Sequence, residues 1–174
     1  MRKSDTEAYG CLFCRTGEER AVADRIQRAL PQVTAITARQ EKHKSVQGKK
    51  TKVETIMFPG YVFFKAPAEM EPVSCFPREG ILRILTVDNG VWQLTDNDEH
   101  FVNWLFECEG LLGFSKAYKV GDQIRMISGP LKDMEGQIIR VDKRGRSGQV
   151  SLSFNGKNML VWLGFDLIDS LPRQ

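Results

Sequence analysis

No stretch of this 174-residue chain approaches the roughly 18 consecutive apolar residues that a membrane span requires. The first seven residues, Met1 to Glu7, lack the apolar core of a secretory leader, so the expected location is the cytoplasm, with no membrane partner. Histidine is scarce: His43 and His100 stand alone in polar surroundings, and no Ser/His/Asp or Cys/His set can be assembled around them. Cysteine is scarce too. Cys75 and Cys108 are isolated, and the Cys11-x-x-Cys14 pair has no second pair or His cluster to complete a tetrahedral metal site. The pair lies in Ala8–Cys14, which reads as a buried strand rather than the helix N-terminus that activates a redox thiol. These absences leave no candidate catalytic residue, metal or cofactor, and an enzyme is not expected. Strong net charge is also missing. The 25 Lys+Arg against 22 Asp+Glu give only +3, which excludes a bulk-charge nucleic-acid binder but not a local one.

What is present describes a folded protein. Hydrophobic residues make up 41% and charged residues 27%, enough to bury one large core or two small ones. After the first strand, Thr16 and Glu19 fit a capping box, and Val22, Ile26, Ala29 and Leu30 recur at helical spacing, so the pattern predicts a helix over 18–30 that Pro31 ends. Val33 to Gln40 reads as a second strand. Residues 39–52 differ in kind. Arg39, Lys42, Lys44, Lys49, Lys50 and Lys52 face only Glu41, with almost nothing to bury, which predicts a mobile hairpin loop or extended arm. Such a run serves either as a solvated loop or as a phosphate-facing arm that gains affinity by counterion release.

The run Thr55–Lys65 is the most apolar of the chain. Pro59-Gly60 predicts a bend in it, after which Tyr61 and Phe63 share one face and Val62 and Phe64 the other. A strand aromatic on both faces needs two covers, and the expectation is that a partner supplies the second. Residues 66–80 read as a short helix and loop, Ile81–Val87 as a strand, Asn89-Gly90 as a hairpin turn and Thr95–Glu109 as a helix capped by Thr95 and Asp98. This order predicts an α+β unit of the ferredoxin-like kind with an antiparallel sheet. Beyond Gly110 the pattern changes to strands at 123–128, 136–142, 149–154 and 159–163, separated by turn residues, which predicts a small β-barrel. Residues 1–112 carry 15 basic and 16 acidic side chains and residues 119–174 carry 9 and 6, so the modest surplus is concentrated in the arm and the barrel. The expected organisation is a first domain over 5–112, a linker over 113–118 and a barrel over 119–172.

Two motifs then become recognisable. Phe58-Pro59-Gly60-Tyr61-Val62-Phe63, in an α+β domain that opens with an aromatic strand and Thr16-Gly17-x-Glu19, resembles the N-terminal (NGN) domain of NusG-type transcription factors. Gly121–Pro130, followed by Met134-Glu135-Gly136-Gln137-Ile138, resembles the KOW motif that opens their SH3-like C-terminal barrel. The resemblance covers nearly the whole chain. It implies a monomeric elongation factor whose aromatic pocket, at positions matching Phe58, Pro59, Gly60, Tyr61 and Phe63, grips the clamp helices of the largest RNA polymerase subunit.

The chain departs from the general factor at one turn. Where that factor reads Phe-Gly-Arg, this sequence has Asn155-Gly156-Lys157, and Met134 stands where another aromatic is common, which puts docking to Rho or the ribosome in doubt. Basic residues supply another ligand class: Arg125, Lys132, Arg140, Lys143, Arg144, Arg146 and Lys157 in the barrel suit a nascent RNA hairpin, and the arm suits upstream or non-template DNA. The pattern is most similar to LoaP-type operon-specific antitermination paralogues. RfaH-like paralogues refold their C-terminal domain, whereas the β-branched, turn-rich segment here implies a permanent barrel. The rival readings are a general NusG-type factor and a ribosome-associated RNA-binding KOW protein.

Overall fold

The computed structural model describes residues 6–168. Residue 5 and residues 169–172, which the expected domain limits include, lie outside the described residues. The chain falls into two compact units, Met1–Ala38 with Ile56–Gly110, and Arg39–Thr55 with Leu111–Gln174. The lysine-rich segment, which the sequence groups with the first domain, belongs by packing to the second unit.

The elements run β1 (Glu7–Cys14), α1 (Glu19–Ala29), β2 (Thr34–Ile36), β3 (Arg39–Val46), β4 (Lys49–Ile56), β5 (Tyr61–Pro67), α2 (Pro72–Cys75), β6 (Ile81–Ile84) and α3 (Asp96–Glu107). Then follow β7 (Leu111–Leu112), β8 (Ser115–Val120), β9 (Gln123–Ser128), α4 (Pro130–Asp133), β10 (Ile138–Asp142), β11 (Ser147–Phe154) and β12 (Lys157–Leu167).

In the first unit the sheet order is β2-β5-β1-β6, with every neighbouring pair antiparallel. This is the split β-α-β layout, in which β5 returns between the two strands joined by α1. One face of the sheet carries Leu12, Cys14, Val62, Phe64 and Ala66. Val22, Ala23 and Ile26 of α1 cover it, with Phe76 and Trp92 at its margin. Gly10 stands opposite Phe64 in the ladder, and a Cβ there would run into the Phe64 ring. The other face carries Tyr9, Cys11, Phe13, Tyr61 and Phe63, and α3 lies on it. Tyr9 packs on Phe106 at 5.4 Å and donates its hydroxyl to Asn103 at 2.6 Å, and Phe63 packs on Phe101 at 6.3 Å. The chain's own α3 thus supplies much of the second cover that the sequence assigns to a partner.

Several expected elements differ in detail. The strand predicted over 33–40 splits, because the chain bends at Thr37-Ala38 and leaves the first unit. The Asn89-Gly90 turn forms, with both residues at positive φ, but no returning strand follows it. Instead Leu85 and Leu94 donate their N–H groups to the Cys11 and Tyr9 carbonyls, so both flanks lean on β1. The starts differ from the predicted caps: α1 begins at Glu19 and α3 at Asp96, and neither N-cap side chain, Glu18 or Thr95, bonds the first turn.

In the second unit β3 and β4 form a hairpin closed by Gln47 and Gly48, at φ 50° and 78°, the left-handed pair that matches strand twist. β7 joins β3 in parallel, pairing Leu111 with Arg39. The remaining strands run in the order β10-β11-β12-β8-β9. β11 shows the half-buried alternation clearly: Gly148, Val150, Leu152 and Phe154 point inward, while Ser147, Gln149, Ser151 and Ser153 point outward. Ala117, Met126, Leu131, Met134, Leu163 and Phe165 complete the interior. Met134 is therefore core rather than a docking group. Residues expected as linker run into β8, whose Ser115 is fully buried and accepts the Leu131 N–H at 2.9 Å.

Gly10 tests the packing of the first unit directly. Gly10→Ala should destabilise the chain by about 1–3 kcal/mol through overpacking against Phe64, measured by urea unfolding. A change within error would mean that Phe64 has another rotamer to occupy.

Candidate functional site

The Phe58-Pro59-Gly60 bend positions an aromatic ridge on the first unit. Gly60 sits at φ 83°, a conformation that favours glycine, and a Cβ there would press on the Cys14 carbonyl at 3.3 Å. Cys14 donates its N–H to the Gly60 carbonyl at 2.8 Å, and the Gly60 N–H donates to the Glu19 carboxylate at 2.7 Å. The same carboxylate accepts the Gly17 N–H at 2.9 Å. Glu19 is buried, which by itself would raise its pKa. The N–H donors of Gly60, Glu19 itself and Gly17 prevail and hold it below the ordinary carboxylate range. The residue expected to cap a helix therefore ties the bend to the start of α1.

The ridge is continuous. Phe13 meets Tyr61 edge-on at 4.7 Å, directly opposite it in the β1–β5 register, and Arg83 lies over the Phe13 ring at 4.4 Å. Tyr61 packs on Phe58 (6.0 Å), Phe58 on Phe63 and Phe101 (5.8 and 5.6 Å), and Phe101 on Trp104 (6.2 Å). Burial separates these rings into two roles. Phe58 at 3% exposure and Phe63 at 0% are core, whereas Phe13, Tyr61, Phe101 and Trp104 are half-buried and reach the surface. Gly60 is buried and Pro59 exposed. Phe13, Arg83, Phe101 and Trp104 are not among the contacts expected from sequence. The alternation of β1 and the i, i+3 spacing on α3 are the sequence signals for the three aromatics, but only pairing and packing bring them beside Tyr61.

The two thiols of the C-x-x-C pair take no part in this surface. Three residues apart on a strand, they face opposite sides of the sheet. Burial, followed by the charges of Glu19 and Glu18, pushes Cys14 up to about 11, and burial pushes Cys11 up further, so both are protonated at neutral pH. Among the described residues, no group of three or more His, Cys, Asp or Glu side chains is placed to hold a metal ion. No helix among them is long and apolar enough to cross a membrane.

The basic residues lie on the second unit. Lys42, Lys44, Lys49, Lys50 and Lys52 are exposed along the hairpin. Its base is anchored: His43 packs on Phe114 at 4.4 Å, and Lys52 lies over the same ring at 4.6 Å and 3.7 Å from Asp166. The Gln40 amide, oriented to satisfy both of its atoms, donates to the Trp162 carbonyl at 3.0 Å and accepts from Lys42 at 3.2 Å. Arg125, Arg140, Arg144 and Arg146 are exposed, Lys132 is bonded to Glu135 at 2.5 Å, and Lys143 donates to the Asp122 carbonyl. Lys157 is exposed beyond the far end of β11 from Arg146. Eight residues of strand, about 26 Å, separate the two turns, so these cations do not form one compact cluster.

The chain thus presents a half-exposed aromatic ridge on an antiparallel α+β unit and exposed cations on a second, β-rich unit. The chain is 27% identical over 133 residues to the "Transcription termination/antitermination protein NusG" of Thermus thermophilus, an overlap of 70% of this chain and 71% of that protein. A solved structure described as "Domain interaction in Thermotoga maritima NusG" shares the fold with a TM-score of 0.54 at 19% identity, covering 91% of this chain and 94% of the other. No family model matches the chain. In sequence and in fold the chain is NusG-like.

The Glu19 tie yields a pH-dependent test. A carboxylate with a lowered folded pKa adds stability above the ordinary carboxylate range and loses it as pH falls through the lowered value. Glu19→Gln should be less stable at neutral pH by about 1–3 kcal/mol, and its deficit relative to the parent should shrink as the medium is acidified. Unfolding curves across that range check this. A pH-independent deficit would mean that the ionised form of Glu19 contributes nothing.

Proposed function

We propose that this chain is a non-catalytic transcription factor of the NusG kind that binds RNA polymerase through the aromatic ridge of its first unit. The same reading has the second unit hold nascent RNA while the chain acts as an operon-specific antitermination factor. The observation that carries the reading is the half-exposed Tyr61, held at the surface by a buried Phe58–Phe63 pair and a glycine bend, within a chain related in sequence to NusG. Aromatic side chains on a rigid apolar base are the usual anchors of protein interfaces. The occupant proposed for this one is the pair of clamp helices of the largest polymerase subunit. Residues 58–60 set the geometry, and Tyr61, with Phe13, Phe101 and Trp104, makes the contact.

The exposed cations of the second unit support the RNA role, because Lys and Arg attract phosphates by releasing condensed counterions. A contact with polymerase through one unit and with RNA through the other raises the effective concentration of each site, so two weak sites suffice. The lysines of the hairpin serve upstream or non-template DNA in the same scheme. The Asn155-Gly156-Lys157 turn favours the specialised role, since it offers a cation where an aromatic would dock a protein. A second reading, the general elongation and termination factor, is favoured by the name of the Thermus relative. Genome-wide polymerase occupancy with and without the protein separates the two, because a few altered operons support the specialist and hundreds the generalist.

Two measurements test the assigned surfaces. Tyr61→Ala should weaken capture of RNA polymerase by about 2 kcal/mol or more and, being half-buried, cost less stability than truncation of a core ring. Phe63→Ala should instead cost about 3–5 kcal/mol of stability, because that ring is core. Undiminished capture by a folded Tyr61→Ala chain would place the polymerase contact elsewhere. Charge reversal at Lys143, Arg144 and Arg146 should weaken RNA binding and flatten its salt dependence, each lost phosphate contact removing about 0.7 from the log–log slope. An unchanged slope would remove that turn from the RNA surface.

A further inference from the structure

The outer face of β10, β11 and β12 sets short side chains along β11 between larger ones on its two neighbours. The outward residues of β11, Ser147, Gln149, Ser151 and Ser153, are all polar and mostly short. The ladder places Trp162 opposite Gln149, Leu160 opposite Ser151 and Asn158 opposite Ser153, so β12 raises an aromatic and aliphatic wall on one side. Across β11, Arg140 stands opposite Gln149, and the irregularity between Ile138 and Arg140 turns Ile139 outward as well. Trp162 is 36% exposed, Leu160 60% and Ile139 60%, more apolar surface than a solvated strand face needs.

Both ends of this face are cationic. Lys143, Arg144 and Arg146 form the turn beyond its Ser147 end, and Lys157 lies at its Phe154 end. Of the carboxylates on this face, Asp142 accepts the Gly145 N–H at 2.9 Å and is held in its own turn, and Asp166 of β12 pairs with Lys52 at 3.7 Å. Beyond Trp162, a Cβ at Gly164 would strike the Phe114 ring, so Phe114 packs there, flanked by His43 and Lys52.

From this arrangement we infer that this face binds a single strand of nucleic acid lengthwise along β11, with a base stacked on Trp162 and the backbone held by Arg140 and the cations at either end. The inference rests on the proposed RNA-holding role of the barrel and names the surface that performs it. A stacking platform beside a track of positive charge is the arrangement that binds single strands with little sequence preference, because every base has a π-face. Charge complementarity favours a polyanion over a protein, since Arg140, Lys143, Arg144, Arg146 and Lys157 border this face while its carboxylates Asp142 and Asp166 are engaged by a turn N–H and by Lys52. β11 is about 26 Å long, room for about four nucleotides, the low end of the range for one small barrel. The scattered basic residues thereby acquire a common role, because Arg146 and Lys157 lie at opposite ends of one track.

The test uses the full-length chain at low salt with a short fluorescein-labelled oligouridylate, read by anisotropy and by quenching of tryptophan emission. Oligothymidylate serves as a second arm that reports whether RNA or DNA is preferred, and binding of either supports the inference. Trp162→Ala should weaken binding about tenfold or more and remove most of the quenching, while Trp162→Phe should retain most of the affinity. Trp162 is an outward residue, and thermal melts of both variants establish that the barrel is folded. Parent-like affinity in folded Trp162→Ala, with charge reversal of the 143–146 turn still weakening binding, would overturn the β11 track and leave the RNA role standing. Failure of the parent chain to bind either oligonucleotide would overturn both. Loss of a protein partner on Trp162→Ala, with oligonucleotide affinity unchanged, would also overturn the inference.

Discussion

The antiparallel pairing of β1 with β5 is the constraint on which the rest of the first unit depends. Strand side chains alternate, so this register decides which face of the sheet each aromatic enters. With Cys11 opposite Phe63 and Phe13 opposite Tyr61, the even residues Val62 and Phe64 turn to α1, and Tyr61 turns to the side where α3 leaves it half open. A slip of one residue would exchange the two sets. The Glu19 carboxylate helps to hold the register, because it ties the Gly60 N–H at the mouth of β5 to the turn that starts α1. A buried ionised group is costly unless its lone pairs are occupied by donors, and here backbone N–H groups occupy them.

The second unit meets a different requirement. A small β-rich unit has too little interior for every apolar side chain, and its sheet still has an exposed outer face. β11 keeps that face polar, while β12 does not, placing Leu160 and Trp162 beside the serines. The hairpin joins this unit through Gln40, His43 and Lys52, side chains that give a lysine-rich segment something to pack on. Its lysines remain outside, where their hydration is retained.

Much of the candidate surface is legible in the amino-acid sequence. The Phe58–Phe63 motif, the Pro59-Gly60 bend and the alternation after it place Tyr61 opposite in sense to Val62 and Phe64. The division of Phe58 and Phe63 from Tyr61 is not legible there, because it depends on Phe101 arriving from a helix about forty residues later. Glu19 reads in sequence as a capping residue, since local spacing cannot show that a glycine from another strand lies within reach. The allegiance of residues 39–55 is equally hidden. A charged segment has no hydrophobic pattern to assign it to a core, and its anchors, Phe114 and Trp162, lie more than sixty residues away.

The sequence by itself determined the order of an α+β unit followed by a β-rich one, the segregation of positive charge and the similarity to NusG, since these reside in periodicity, composition and short motifs. Only the tertiary structure decided which aromatics are buried, that a carboxylate pins the bend, and that cations from separate turns flank the sheet face that carries Trp162. Those facts depend on pairings between distant strands, and the physical reason is that register and burial are properties of the packed sheet rather than of any local stretch of chain.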